Sequence, residues 1–230
     1  MTDDAAWPLA QHVCRTGCAD LPANVVESAR RDILDTFGCM LGGSGSPGID
    51  QLFAVISRWG GLAESRVLLR GIRLPAPQAA LLNASMGHAL DFDDTLDTGG
   101  SIHPGVSVLG SVLATCDSLG GVTGRDVLLA VALGLDISCR IALASTLDRG
   151  WHRTAAIGVF GATAAAGKLI DLTPADASRL RHRLQPRRRQ SPMHSGRGTE
   201  QADAGRPSGE RRRALGSFGE NRVYRRAQHF

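Results

Sequence analysis

Apolar residues recur at every fourth position between residues 23 and 41, at Val25, Ala29, Ile33, Phe37 and Leu41, and Gly42-Gly43 follows at once. That spacing gathers the side chains on one face of an α-helix, and glycine readily ends one. Such a stripe has to be buried against another element. The same grammar repeats downstream. Residues 49–59 form a second amphipathic stretch, and 78–90 resume helix after Pro75 and Pro77 with small residues that permit close packing. Pro104, whose fixed φ suits a first turn, opens a helix to residue 119. Residues 123–146 are long and mostly apolar, and 154–170 are rich in Ala and Gly. Thr173-Pro174-Ala175-Asp176 reads as an N-cap with proline at the first position of one more helix. Residues 66–74, RVLLRGIRL, have a glycine between short apolar runs and read as a small hairpin. Strand signals are too few for a sheet-based core, so the sequence predicts an all-α, bundle-like domain over residues 1–178.

Charge divides the chain at the same place. Up to Ser178, 12 basic residues face 18 acidic ones; from Arg179 onward, 14 arginines face four acidic residues, so the net +4 averages two unlike segments. Residues 179–230 are rich in Arg, Gly, Ser and Pro, have no stripe to bury, and are expected to be disordered. A basic arm invites a nucleic-acid reading, but its arginines form no helical face, aromatic residues are sparse and no DNA-reading motif accompanies them. No nucleic acid is expected as a partner.

The opening MTDDAAWPLA is acidic where a signal peptide needs basic residues, and no run approaches the roughly 18 apolar residues of a membrane span. The expectation is a cytoplasmic protein that engages no membrane. Cys14, Cys18, Cys39, Cys116 and Cys139 form no C-x-x-C pair, which leaves out zinc-ribbon and iron–sulfur spacing. Cys14 and Cys18 lie one helical turn apart. All five are expected to be reduced and mostly buried.

Chemistry concentrates between helices. Residues 88–105, HALDFDDTLDTGGSIHPG, carry His88, Asp91, Asp93, Asp94, Thr95, Asp97 and His103. Trp151-His152-Arg153-Thr154 stands immediately before the Ala-rich helix. A histidine just ahead of a helix feels the positive end of the dipole, which favours neutral imidazole, and His103 and His152 both meet that description. From the residues alone, a solvated acidic loop with capping histidines competes with a catalytic reading. An EF-hand starting at Asp93 would need suitable ligands where Thr95, Thr98 and Pro104 stand, and fails. Asp93-Asp94-Thr95-Leu96-Asp97 spells the D-D-x-x-D with which helical prenyl-diphosphate enzymes hold magnesium, and is the runner-up; no second metal motif follows and aromatic residues make up only 4% of the chain. Residues 161–169, GATAAAGKL, miss the P-loop spacing and its Ser/Thr.

The string GHALDFDDT, then HPG, then WHRTAAIGVFGATAAAGKL resembles the 2-methylcitrate dehydratase, or MmgE/PrpD, family over about residues 5–178. The family includes cis-aconitate decarboxylase and iminodisuccinate epimerase. The resemblance implies a metal-independent enzyme without a cofactor, acting on a small polycarboxylate and usually dimeric. It implies a large helical domain, a smaller α/β lid and a site in the cleft between them. Asp91, Thr95, His103 and His152 fall on the family's active-site positions, with His88 and Asp94 as supports; Leu96 departs from the histidine that many members carry there.

Dehydration, decarboxylation and epimerisation all pass through a carbanion-like species beside a carboxylate, so each needs a base, an acid and stabilised negative charge. On this reading Asp91, His103 and His152 serve catalysis, while Thr95, His88, Asp94 and Arg153 bind substrate. Hydro-lyase chemistry is the first expectation, with decarboxylation or epimerisation as alternatives. Residues 1–178 thus correspond to the first part of the helical domain, with no counterpart of the lid or of the lysines the family brings from beyond it. An inactive remnant is therefore a further alternative. Arginine enrichment without periodicity is what a GC-rich gene yields out of frame, so 179–230 are expected to be a frameshifted translation.

Overall fold

The computed structural model describes residues 6–99, 101–145, 150 and 152–176. The expectations for the 179–230 tail lie outside the described residues. The elements are α1 (Ala6–Arg15), α2 (Ala23–Gly42), α3 (Ile49–Ser57), a hairpin of β1 (Ser65–Val67) and β2 (Ile72–Leu74), α4 (Ala76–His88), α5 (Pro104–Leu119), α6 (Gly124–Ala144) and α7 (Arg153–Leu169). The domain is all-α apart from the hairpin, in which Ser65 pairs with Leu74 and Val67 with Ile72. At Thr173 the expected cap forms: its hydroxyl accepts from Asp176 N–H and the Asp176 carboxylate accepts from Thr173 N–H. The rest of that helix lies outside the described residues.

In α2 the buried face is rotated from the stripe seen in sequence. Ala29, Thr36 and Met40 are fully buried, Val25, Ile33 and Phe37 pack partly against the core, and Leu41 is exposed. A strict four-residue repeat drifts about 40° per step on a helix of 3.6 residues per turn, which carries Leu41 off the face and Thr36 and Met40 onto it. The short α1 was not legible because Pro8 obscures its start and only Val13 becomes fully buried.

The main core joins Ala29 and Met40 of α2, Val108, Leu109 and Val112 of α5, Ala130 and Val131 of α6 and Ala165 of α7. Each fully buried Val or Leu contributes about 1.5–3 kcal/mol relative to exposure. Helices α6 and α7 approach backbone to backbone: a Cβ on Gly134 would lie 3.0 Å from Gly161 O, and one on Gly161 would lie 2.5 Å from Gly134 O. By length and composition α6 could cross a membrane, which corrects the expectation that no run approaches that length; half of its apolar window is buried among the other helices. The cysteines also depart from expectation. Cys18 is exposed and the other four are half-buried, because they sit at the margins of helix contacts. Cys14 belongs to α1 and Cys18 to the following 3-10 turn, so the two do not share a helix.

Candidate functional site

Helix α4 ends at His88, and residues 89–103 lead into α5 through an irregular loop closed by a Leu96–Ile102 bridge. Asp91 takes a left-handed backbone, φ 56°. Asp tolerates that region better than most residues, and strain of about 1 kcal/mol or more tends to be kept where geometry matters. Pro104 starts α5, which leaves His103 at its N-cap, while His152 is the N-cap of α7.

Three imidazoles meet here. The ring centroid of His88 lies 5.3 Å from that of His103 and 5.4 Å from that of His152. Their hydrogen bonds assign tautomers. His103 Nδ1 faces the carbonyl oxygens of Asp94 at 3.0 Å and Asp93 at 3.4 Å, with Thr95 Oγ1 at 3.4 Å. Carbonyls only accept, so Nδ1 carries hydrogen and neutral His103 has a bare Nε2, 3.8 Å from Asp91 Oδ1. His88 Nδ1 donates to the buried Asp93 Oδ2 at 2.8 Å, leaving its Nε2 bare as well. His152 is reversed: its Nδ1 accepts from Ala155 N–H at 3.3 Å, so its Nε2 carries hydrogen. Two bases and one donor thus share a face on which Asp91 and His152 are exposed.

Asp93 was expected only as a ligand of the runner-up magnesium motif, not as a partner of the histidines. Its Oδ2 orients His88, while its Oδ1 is buried, lies 3.8 Å from His103 Nδ1 and makes no hydrogen bond. The adjacency of DFDD was the available signal, but not which aspartate turns inward. Asp94 turns the other way, accepting Gly105 N–H at 2.9 Å on Oδ1. Burial raises its carboxyl to about 6, with Asp93 adding to the rise and Gly105 N–H, Asp32 and His103 opposing it. Asp32 of α2 is raised to about 8, first by burial and then by Asp94.

The D-D-x-x-D reading does not survive. Asp93 faces His88, Asp94 faces Gly105, Asp97 is exposed, and no helix carries them on a common face, since the segment is loop. One atom each from His88, Asp91 and Asp93 lie within 4.8 Å of one another, spacing compatible with a cation. The His88–Asp93 contact has the length of a charge-assisted hydrogen bond, which occupies His88 Nδ1 and Asp93 Oδ2 and leaves His88 Nε2 and Asp93 Oδ1 unused by it. Arg153, expected at the site, turns its guanidinium to the carbonyl of Ala142 at 2.9 Å, at the end of α6. Lys168 donates to Cys14 O at 3.0 Å. Two shallow hollows lie elsewhere, one along α1 around His12 and one at the hairpin, and neither gathers comparable groups.

Comparison with known proteins finds relatives of the chain. The sequence profile of the MmgE/PrpD N-terminal domain matches residues 8–179. The chain is 30% identical over 163 residues to cis-aconitate decarboxylase of Aspergillus terreus, which covers 67% of this chain and 33% of that protein. It is 29% identical over 167 residues to the cis-aconitate decarboxylase-like protein oryM of Aspergillus oryzae, covering 69% and 35%. It is 28% identical over 165 residues to the human cis-aconitate decarboxylase, covering 66% and 33%. The chain thus spans about a third of the length of these relatives.

Proposed function

The chain belongs to the MmgE/PrpD family, and on that premise we propose that it acts as a lyase on a small polycarboxylate by proton transfer next to a carboxylate. The observation that carries the reading is the meeting of His88, His103 and His152 at one open face beside Asp91. A bare Nε2 on His103, or on His88 backed by the Asp93 carboxylate, takes a proton from carbon. The electron pair left behind delocalises onto the neighbouring substrate carboxylate. His152 Nε2–H and the Thr95 hydroxyl donate to that developing charge, and the N-termini of α5 and α7 add the positive ends of two helix dipoles. Asp91, exposed and 3.8 Å from His103, relays the proton or accepts a substrate hydroxyl. Asp94 supports the loop from behind, and Arg153 contributes through the end of α6.

Dehydration, as of 2-methylcitrate, would then release the β-hydroxyl as water after protonation. Decarboxylation is the second reading, favoured by the names of the relatives: the carbon–carboxylate bond breaks to give CO2 and the resulting carbanion is protonated. The proposal includes a cytoplasmic homodimer that uses no cofactor. To test it, the 230-residue chain is incubated with 2-methylcitrate, cis-aconitate and iminodisuccinate and the products followed by NMR. Turnover of one of them that is lost in His103→Gln supports the reading. A folded, helical chain inert towards all three overturns it for this chain and leaves a non-catalytic one.

A further inference from the structure

Behind the histidines, the loop is anchored by a carboxyl pair that the chemistry above does not use. We propose that Asp32 is a positioning residue of the site, which through a proton shared with Asp94 holds the loop that presents Asp91, Asp93 and His103. The inference rests on the proposed function only in treating that loop as part of a site.

The geometry is specific. The carboxyls of Asp32 and Asp94 face each other, and Asp94 Oδ1 also accepts from Gly105 N–H at 2.9 Å. A Cβ on Gly105 would come within 2.6 Å of both Asp94 Oδ1 and Thr36 Oγ1, so α2, the loop and the first turn of α5 converge on one point. With both acids ionised, Asp32 Oδ2 is buried without a hydrogen-bond donor. One proton between the acids supplies that donor and removes one of two buried charges. The Asp94 carbonyl receives His103 Nδ1–H at 3.0 Å, so the residue that Asp32 holds also sets the tautomer that bares His103 Nε2. Other groups face the pair from each side: Asp35 and Cys39 from α2, Asp93 and His103 from the loop, and Cys139 from α6. Burial with the surrounding acids favours retention of the proton, and places the two carboxyls at about 6 and about 8.

Amide NMR of the full chain tests this without turnover, so its outcome is separate from that of the substrate assay. Gly105 N–H reports the charge on Asp94, and its resonance should move as pH passes from about 5 to about 9. In Asp32→Asn a permanent amide donor replaces the shared proton. The loop resonances should then match wild type near neutrality, while the Gly105 titration loses its component near pH 8 and keeps the one near pH 6. Asp32→Leu should shift the loop resonances, and Asp35→Asn should preserve the Gly105 titration. A Gly105 amide that stays flat over this range in wild type, or titrates unchanged in Asp32→Asn, overturns the proposal. So does an Asp32→Leu chain that folds with wild-type loop resonances. If that variant does not fold, the wild-type and Asp32→Asn titrations still decide.

Discussion

At Asp93 burial and charge meet: the side chain is fully buried, and Oδ2 accepts from His88 Nδ1 at 2.8 Å. Asp93→Asn keeps a carbonyl acceptor but removes the charge, and should cost about 1–3 kcal/mol in urea unfolding. Long-range proton–nitrogen spectra should also show His88 losing its single tautomer; a variant of wild-type stability and tautomer would refute the pairing. At Asp32 the sign runs the other way. Its carboxyl at about 8 and that of Asp94 at about 6 both lie above the ordinary 3.8. The native state therefore holds more protons than the unfolded chain from near pH 4 to near pH 8, and stability falls as pH rises through that window. Asp32→Asn should accordingly be more stable than wild type at about pH 8.5 by roughly 1–3 kcal/mol, a few degrees in Tm. The gain should vanish near pH 5, and thermal melts at the two pH values would expose a gain that does not depend on pH.

Elements in this fold are set by local chemistry and then constrained by how closely neighbours approach. Thr123 caps α6 by accepting from Asp126 N–H, and the Asp126 carboxylate returns a bond to Thr123 N–H. Thr123→Ala should cost about 1 kcal/mol. Gly161 is a stricter position, because an added Cβ meets Ser138 and the Gly134 carbonyl across the α6–α7 contact. Gly161→Ala should force those helices apart at a cost of about 1–3 kcal/mol, lowering Tm more than Thr123→Ala does. The reverse order would mean that the two helices do not meet at this crossing. Thr123 and Asp126 could be read as a cap from their spacing. Gly161 could be read only as small, since the glycine it meets lies on another helix.

Across the whole domain, burial is uneven. Helix α5 buries Val106, Val108, Leu109, Val112 and Ala114 and touches α2, α4, α6 and α7, whereas the loop before it exposes Phe92, Asp91 and Thr95. Among the described residues, native-state hydrogen exchange should therefore be slowest at α5 and the middle of α6 and fast at 89–99; protection of the loop equal to that of α5 would contradict this packing. The positions of α2 to α7 and of the hairpin were legible because each depends on bonds spanning a few residues: the stripe of α2, Pro104 at the start of α5 and the glycine between β1 and β2 carry their geometry with them. The DFDDT and HPG strings marked the region of the candidate site through the family resemblance they carry. Which aspartate turns toward His88, which meets Asp32, and where Arg153 points were not legible. Those directions are set by helices packed together from distant parts of the chain, and by an irregular loop that turns left-handed at Asp91. By itself, then, the sequence determined the helices and the residues available for chemistry. The tertiary structure alone decided their partners, because burial and like-charge proximity arise only when the chain is folded.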